Sequence, residues 1–176
     1  MKNLSTEVVA ANSTRTVTNA EREHIVQLTR AWIGTPYHHQ AALKGVGCDC
    51  FGLIRGVWAE LYGAQPPEKA PPYTRDWAEA TGEEQMLAAA KRWMVEQTFP
   101  AFSGHGTPVG MAGDVVIFRH TETSPAKHSA ILAGGGRMIH AVEGHKVCEV
   151  YLGSWWHKRL AGVFSFVSPS LMVVES

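Results

Sequence analysis

Apolar residues recur at helical spacing in the first third of the chain and at strand spacing in the last third. Thr18 and Glu21 stand three apart as a capping box, and Ile25, Leu28 and Trp32 follow as a stripe that stops at Gly34, which predicts a helix over 18–33. Thr35-Pro36-Tyr37 then forces an extended or turn segment, and residues 38–49 read as a glycine-containing loop. Cys50, Ile54, Val57, Trp58 and Leu61 fall at i, i+4, i+7, i+8 and i+11, so a second helix is expected from about 50 to 62, closed by Gly63. A proline-rich link (64–75) leads to a third helical pattern over 76–97, with Leu87, Ala90 and Met94 on one face, and 98–112 is again rich in glycine and proline. From Asp114 the period changes. Val115 to Phe118 reads as a buried strand, Lys127 to Ala133 and Arg137 to Val142 as a hairpin around Gly134-Gly135-Gly136, and Val147 to Leu152 and Val163 to Val167 as two more strands. Helices first and an antiparallel sheet second indicate an α+β fold.

Length refines this into one domain. The 176 residues are sufficient for a core without disulfide or metal support. The expected organisation is an N-terminal arm (1–17), a single domain (18–170) with a helical insertion at 64–112 that is too short for a core of its own, and a tail (171–176). Sixteen basic and sixteen acidic residues balance to zero, which removes any global electrostatic case for nucleic acid or an anionic membrane. Three cysteines, Cys48, Cys50 and Cys148, argue against a disulfide framework and fit reduced, cytosolic synthesis. The first 17 residues lack the pattern of a signal peptide, and no apolar run approaches membrane-helix length, so neither secretion by a leader nor membrane insertion is expected.

Candidate chemistry lies where the helical and strand regions meet. Cys50 heads its helix, where the dipole and unpaired N–H groups favour a thiolate. With the three glycines as the loop, Ala133 pairs with Arg137, His128 lies opposite Val142, and His140 opposite Ala130. His128 and His140 then share one strand face as diagonal neighbours, roughly 7–8 Å apart at Cα. A loop one residue longer would separate them onto opposite faces. If the helix carrying Cys50 packs on the histidine face, a nucleophile, a base and an orienting partner come together. Singly, a cysteine on a helix stripe is more often core and a strand histidine more often structural. Order, spacing and placement at a helix start are what favour catalysis.

Five short motifs add to that reading: Gly34-Thr35-Pro36-Tyr37, Gly47-Cys48-Asp49-Cys50-Phe51-Gly52-Leu53, Gly113 to Phe118, His128-Ser129-Ala130-Ile131 and Gly136 to Ala141. In this order and spacing, over about residues 20–167, they resemble the NlpC family of cell-wall cysteine peptidases; the ending Trp156 to Phe164 looks closest to its stand-alone phage and gene-transfer-agent branch. The resemblance implies a papain-like α+β core and a Cys-His-His triad of Cys50 as nucleophile, His128 as base and His140 as its orienting residue. It also implies Tyr37 beside the nucleophile as a second oxyanion donor, Asp49 in substrate recognition, and no cofactor or metal. The substrate implied is the γ-D-glutamyl–diamino-acid amide of the peptidoglycan stem peptide. The expected place of action is the bacterial cell wall, in or beside a phage-like particle with tail-type partners. Phe51 departs from the family pattern, replacing a serine that can hydrogen-bond substrate, and His38-His39-Gln40 replaces small glycines, narrowing the cleft.

Three alternatives stay open at this point. Cys48, Cys50, His128 and His140 are residue types that suit zinc, although one Cys-x-Cys without a second close pair is a weak zinc pattern. A non-catalytic tail or wall-binding component would keep the fold without turnover. An amidase or acyltransferase would apply the same cysteine chemistry to another substrate.

Overall fold

Helix α1 (Asn19–Arg30) opens with the expected box: the Glu21 N–H donates to Thr18 Oγ1 at 3.3 Å and the Thr18 N–H donates to the Glu21 carboxylate at 2.6 Å. The computed structural model describes residues 16–66, 82–99 and 108–171. Residues 1–15 of the arm, parts of the 64–112 insertion and the end of the tail lie outside them, but Thr16 already bridges Val167 and Val17 is buried.

The segment 38–49 is more ordered than a loop: strands β1 (Ala42–Leu43) and β2 (Gly47–Cys48) pair as a small hairpin. It leads into α2 (Cys50–Tyr62), which ends on Gly63 in the left-handed region, φ 67°. Gly56 of α2 lies against Trp32; a Cβ there would fall 2.0 Å from the indole, so glycine is what lets the two helical segments approach.

Helix α3 spans Gln85–Trp93, and the chain then extends as β3 (Val95–Gln97) rather than continuing as helix. Val95 pairs with Ser165 at the sheet edge and is buried, so tertiary pairing overrides a helical spacing that Met94 had prolonged. Strands β4 (Val115–Arg119), β5 (Ala126–Gly134), β6 (Arg137–His140), β7 (Cys148–Tyr151) and β8 (Leu160–Ser165) complete an antiparallel sheet in the order β3-β8-β4-β5-β6-β7; a short helix α4 (Ser154–His157) precedes β8.

Leu53, Ile54, Val57, Met86 and Leu87 from the helices pack with Val115, Ile117, Ile131, Ile139 and Phe164 on one sheet face. The other face holds Val116, Phe118, Ala130, Leu132, Met138 and Val163, with Val109 and Leu152. The hairpin register is Leu132 to Met138 and Ile131 to Ile139, the one that keeps both histidines on one face. Near the turn a bulge pairs Gly134, not Ala133, with Arg137, leaving a two-residue turn of Gly135 and Gly136 at φ 58° and 70°.

Helix α2 does not pack on the histidine face. A second bulge is the reason. Phe118 pairs with His128 but Arg119 with Ala126, so Lys127 is the extra residue and the alternation of β5 reverses across it. Ala126, Ser129 and Ile131 thereby turn toward the helices, while His128, Ala130 and Leu132 turn away. A neighbouring irregularity between Ile117 and Phe118 in the β4–β8 pairing bends the sheet at the same level.

Candidate active site

The start of α2 is built by its own N-cap. Asp49 is 2% exposed; its Oδ1 accepts the Gly52 N–H and its Oδ2 the Gln40 N–H, both at 2.7 Å. Gln40 has φ 63°, a left-handed conformation that costs a non-glycine residue energy, and the Asp49 carboxylate holds it there. The Asp49 N–H donates to the Ala41 carbonyl, and a Cβ at Gly52 would fall 1.8 Å from that same oxygen, so the glycine after Phe51 lets the hairpin press onto the helix end. Tyr37 is bridged in parallel to Cys48, and the Cys48 N–H donates to the Pro36 carbonyl. The Thr-Pro-Tyr segment and the nucleophile motif are thus one clamped unit.

Cys50 is partly buried. Its thiol points toward the Lys127 carbonyl at the bulge, 3.7 Å away, and its own carbonyl accepts the Ser129 hydroxyl at 3.0 Å. Burial pushes the thiol up to about 11, with the neighbouring Asp49 charge adding to the shift. His128 is driven down to about 3, chiefly by burial and then by the nearby His140 and His120, and burial alone takes His140 to about 4. All three shifts favour the neutral forms, a thiol and two uncharged imidazoles, and oppose the thiolate that the helix start favours.

His128 Nε2 and His140 Nδ1 lie 3.0 Å apart, one donating and the other accepting according to tautomer. Trp156 fixes both rings: it stacks on His128 at 5.1 Å and 27° and meets His140 edge-on at 5.4 Å, and Phe118 forms a third wall 6.2 Å from His128. Such ring contacts hold an imidazole plane without charging it.

A cavity of about 680 Å³ joins these groups; Tyr37, Asp49, Cys50, Phe51, His128 and Trp156 line it. Of the residues singled out in the sequence, four therefore face one space, and His140 sits buried behind His128 at 3% exposure. Sequence reasoning missed Ser129 and Trp156. Ser129 directly follows His128, and its aim at α2 is fixed by the bulge; only the Trp155-Trp156 doublet hinted at the indole wall. Cys48 is fully buried on β2, where burial raises its thiol to about 12. Among the described residues no group of three His, Cys, Asp or Glu side chains is disposed to hold a metal ion, so the zinc alternative has no ligand set in this arrangement.

The chain is 28% identical over 143 residues, 81% of its own length, to the gamma-DL-glutamyl hydrolase of Bacillus subtilis, and spans 29% of that relative. Among solved structures, a lipoprotein-like NLP/P60 protein of Staphylococcus aureus superposes with TM-score 0.56 at 21% identity, over 88% of this chain and 44% of that one. The NlpC/p60 domain of the peptidoglycan hydrolase SagA gives TM-score 0.50 at 22% identity, over 82% of this chain and 98% of that one. These likenesses carry the papain-like α+β fold. The NlpC/P60 family model matches residues 34–165, from the glycine that ends the first helical stripe to the last residue of β8, and the chain belongs to the NlpC/P60 family.

Proposed function

We propose that this chain is a cysteine peptidase of the peptidoglycan stem peptide, cleaving the amide between γ-D-glutamate and the diamino acid. One observation carries the reading: His128 lines the cavity shared with Cys50 while its Nε2 is engaged by His140 at 3.0 Å, so the other ring nitrogen is the one available to Cys50. The relative named gamma-DL-glutamyl hydrolase supports the choice of bond.

In this reading Cys50 Sγ attacks the γ-carbonyl carbon as its proton passes to His128 Nδ1. Because both groups are neutral at rest, transfer accompanies attack instead of preceding it. The oxyanion is met by the Cys50 N–H at the start of α2, with the Tyr37 hydroxyl as second donor. His128 then protonates the departing amine, leaving a thioester, and water assisted by neutral His128 releases the acyl group. His140 and Trp156 keep the His128 ring in one plane throughout. Asp49, whose two oxygens are already bonded within the protein, acts chiefly by placing Cys50. Work within a phage-like particle belongs to the same proposal and rests on the Trp156 to Phe164 segment.

The test is mass spectrometry of purified muropeptides incubated with wild type, Cys50→Ala and Cys48→Ala. Cleavage at the γ-D-glutamyl bond should persist in Cys48→Ala and vanish in Cys50→Ala. Loss in Cys48→Ala alone would overturn the assignment. Failure of wild type to cleave any muropeptide would favour a binding component instead.

A further inference from the structure

One charged side chain in the cavity is left with unfinished hydrogen bonding. Arg55, on α2, lines the cavity, and its Nε is buried with no hydrogen-bond partner; among the described residues it is the one buried side-chain nitrogen or oxygen in that condition. Buried guanidinium donors are ordinarily paired, because an unpaired one forfeits its solvation without return. Other arginines of the chain show the usual state: Arg22 is paired with Asp114, and Arg137 with Glu149.

Position gives the vacancy a meaning. Arg55 lies four residues after Phe51, so the two occupy the same face of α2 one turn apart, and both line the cavity. Arg55 is five residues past Cys50, about 7.5 Å further along the helix axis. In a γ-linked glutamyl residue the free α-carboxylate stands four bonds from the scissile carbonyl carbon. An arginine side chain reaching back toward the nucleophile spans that separation, and its planar fork matches a carboxylate in two parallel hydrogen bonds. Phe51 offers the cavity an apolar wall on this face of α2, and Arg55, one turn along, offers it a charged donor.

We infer that Arg55 is the carboxylate-recognising residue of this cleft and selects an acyl-side glutamyl residue whose α-carboxylate is free over one whose α-carboxylate is amidated. The inference rests on the peptidase reading above, since it takes the cavity as the acyl-side cleft.

The experiment compares kcat/KM on two synthetic peptides, L-Ala-γ-D-Glu–diamino acid and the same peptide with the α-carboxylate as carboxamide, for wild type, Arg55→Gln and Arg55→Lys. Wild type should favour the carboxylate by about tenfold or more. Arg55→Gln should bring the ratio close to one, and Arg55→Lys should keep part of it, because an ammonium lacks the fork. Melting temperature should not fall in Arg55→Gln, since no internal bond of Nε is lost. An absent preference in wild type, or an undiminished ratio in Arg55→Gln, overturns the inference. Should wild type cleave neither peptide, the peptidase reading fails. Calorimetric binding of the dipeptide L-Ala-γ-D-Glu to Cys50→Ala then decides for Arg55: binding abolished by Arg55→Gln and by α-amidation supports the carboxylate site, and any other result sinks it.

Discussion

Alkylation of Cys50 as a function of pH separates two ground states that the same residues could adopt. In a preformed ion pair the thiol is ionised well below neutrality, and labelling by iodoacetamide is fast and flat above about pH 6. The geometry here gives the opposite: the thiol faces a backbone carbonyl at 3.7 Å, its pKa is near 11, and His128 is near 3. At pH 7 a group with pKa 11 is ionised to about one part in ten thousand, against one in a hundred for the unperturbed value of 9.0. Native Cys50 should therefore label about a hundredfold more slowly at pH 7 than an ordinary exposed cysteine. The rate should climb about tenfold per pH unit from 7 to 10 without a plateau. Replacing His128 with Ala should change the rate at pH 7 by less than about threefold, because no charge on that ring supports a thiolate. The readout is the rate of mass gain in the peptide holding Cys48 and Cys50, with fragment ions assigning the site. A plateau below pH 7, together with slowing of a hundredfold or more in His128→Ala, would falsify the neutral ground state and restore the ion pair.

The same depressed histidines make the fold acid-sensitive: each contributes stability that is present above the unfolded pKa of about 6.5 and is lost as pH falls toward the folded values of about 3 and 4. Urea melts at pH 7 and pH 5 should differ by about 2 kcal/mol per histidine, and His128→Gln/His140→Asn should flatten that dependence; an unchanged slope would contradict the buried neutral pair. Asp49→Ala removes the cap of α2 and the tie to Gln40, so it should cost about 2–3 kcal/mol in urea stability and lower kcat more than it raises KM, whereas a pure KM effect would point instead to direct substrate binding. Trp156→Ala strips one face from His128, and the His128 pKa followed by NMR should rise back toward 6.5 with a turnover loss of tenfold or more; an unmoved titration would show that burial comes from elsewhere.

Features set by local interactions were legible in the chain. The capping box at Thr18 and Glu21 and the left-handed stop at Gly63 depend on residues within one turn, and both form as read. The β5–β6 register was legible because three consecutive glycines leave few hairpin turns, and it places the two imidazoles in contact as their spacing suggested. What escaped depends on partners distant in sequence. Strand β3 exists because β8 offers Val95 a pairing edge, and nothing in residues 95–97 alone distinguishes it from the end of a helix. The bulge at Lys127 arises from how β5 meets β4, and no residue in Ala126-Lys127-His128 announces it. Glycines 52 and 56 were visible, but the objects they make room for, the Ala41 carbonyl and the Trp32 indole, are 11 and 24 residues away.

That bulge also explains how Cys50 and His128, the proposed nucleophile and base, line one cavity although they belong to opposite sides of one sheet. Without it, Ala126 would share the His128 face, and the regular alternation would carry β5 on unbroken. With Lys127 inserted, two consecutive inward positions become Ala126 and Ser129, and the backbone between them bends so that the Lys127 carbonyl meets the Cys50 thiol while the Ser129 hydroxyl meets the Cys50 carbonyl. The strand thus holds the first residue of α2 by both its main chain and its side chain, and it presents His128 from just beyond the same bend into the cavity that Cys50 lines. Cys50 is positioned by β5 no less than by its own helix cap. The register of Lys127, which contributes no catalytic group to the proposed mechanism, therefore sets how Cys50 and His128 stand relative to each other, the separation that the proposed proton transfer has to cross.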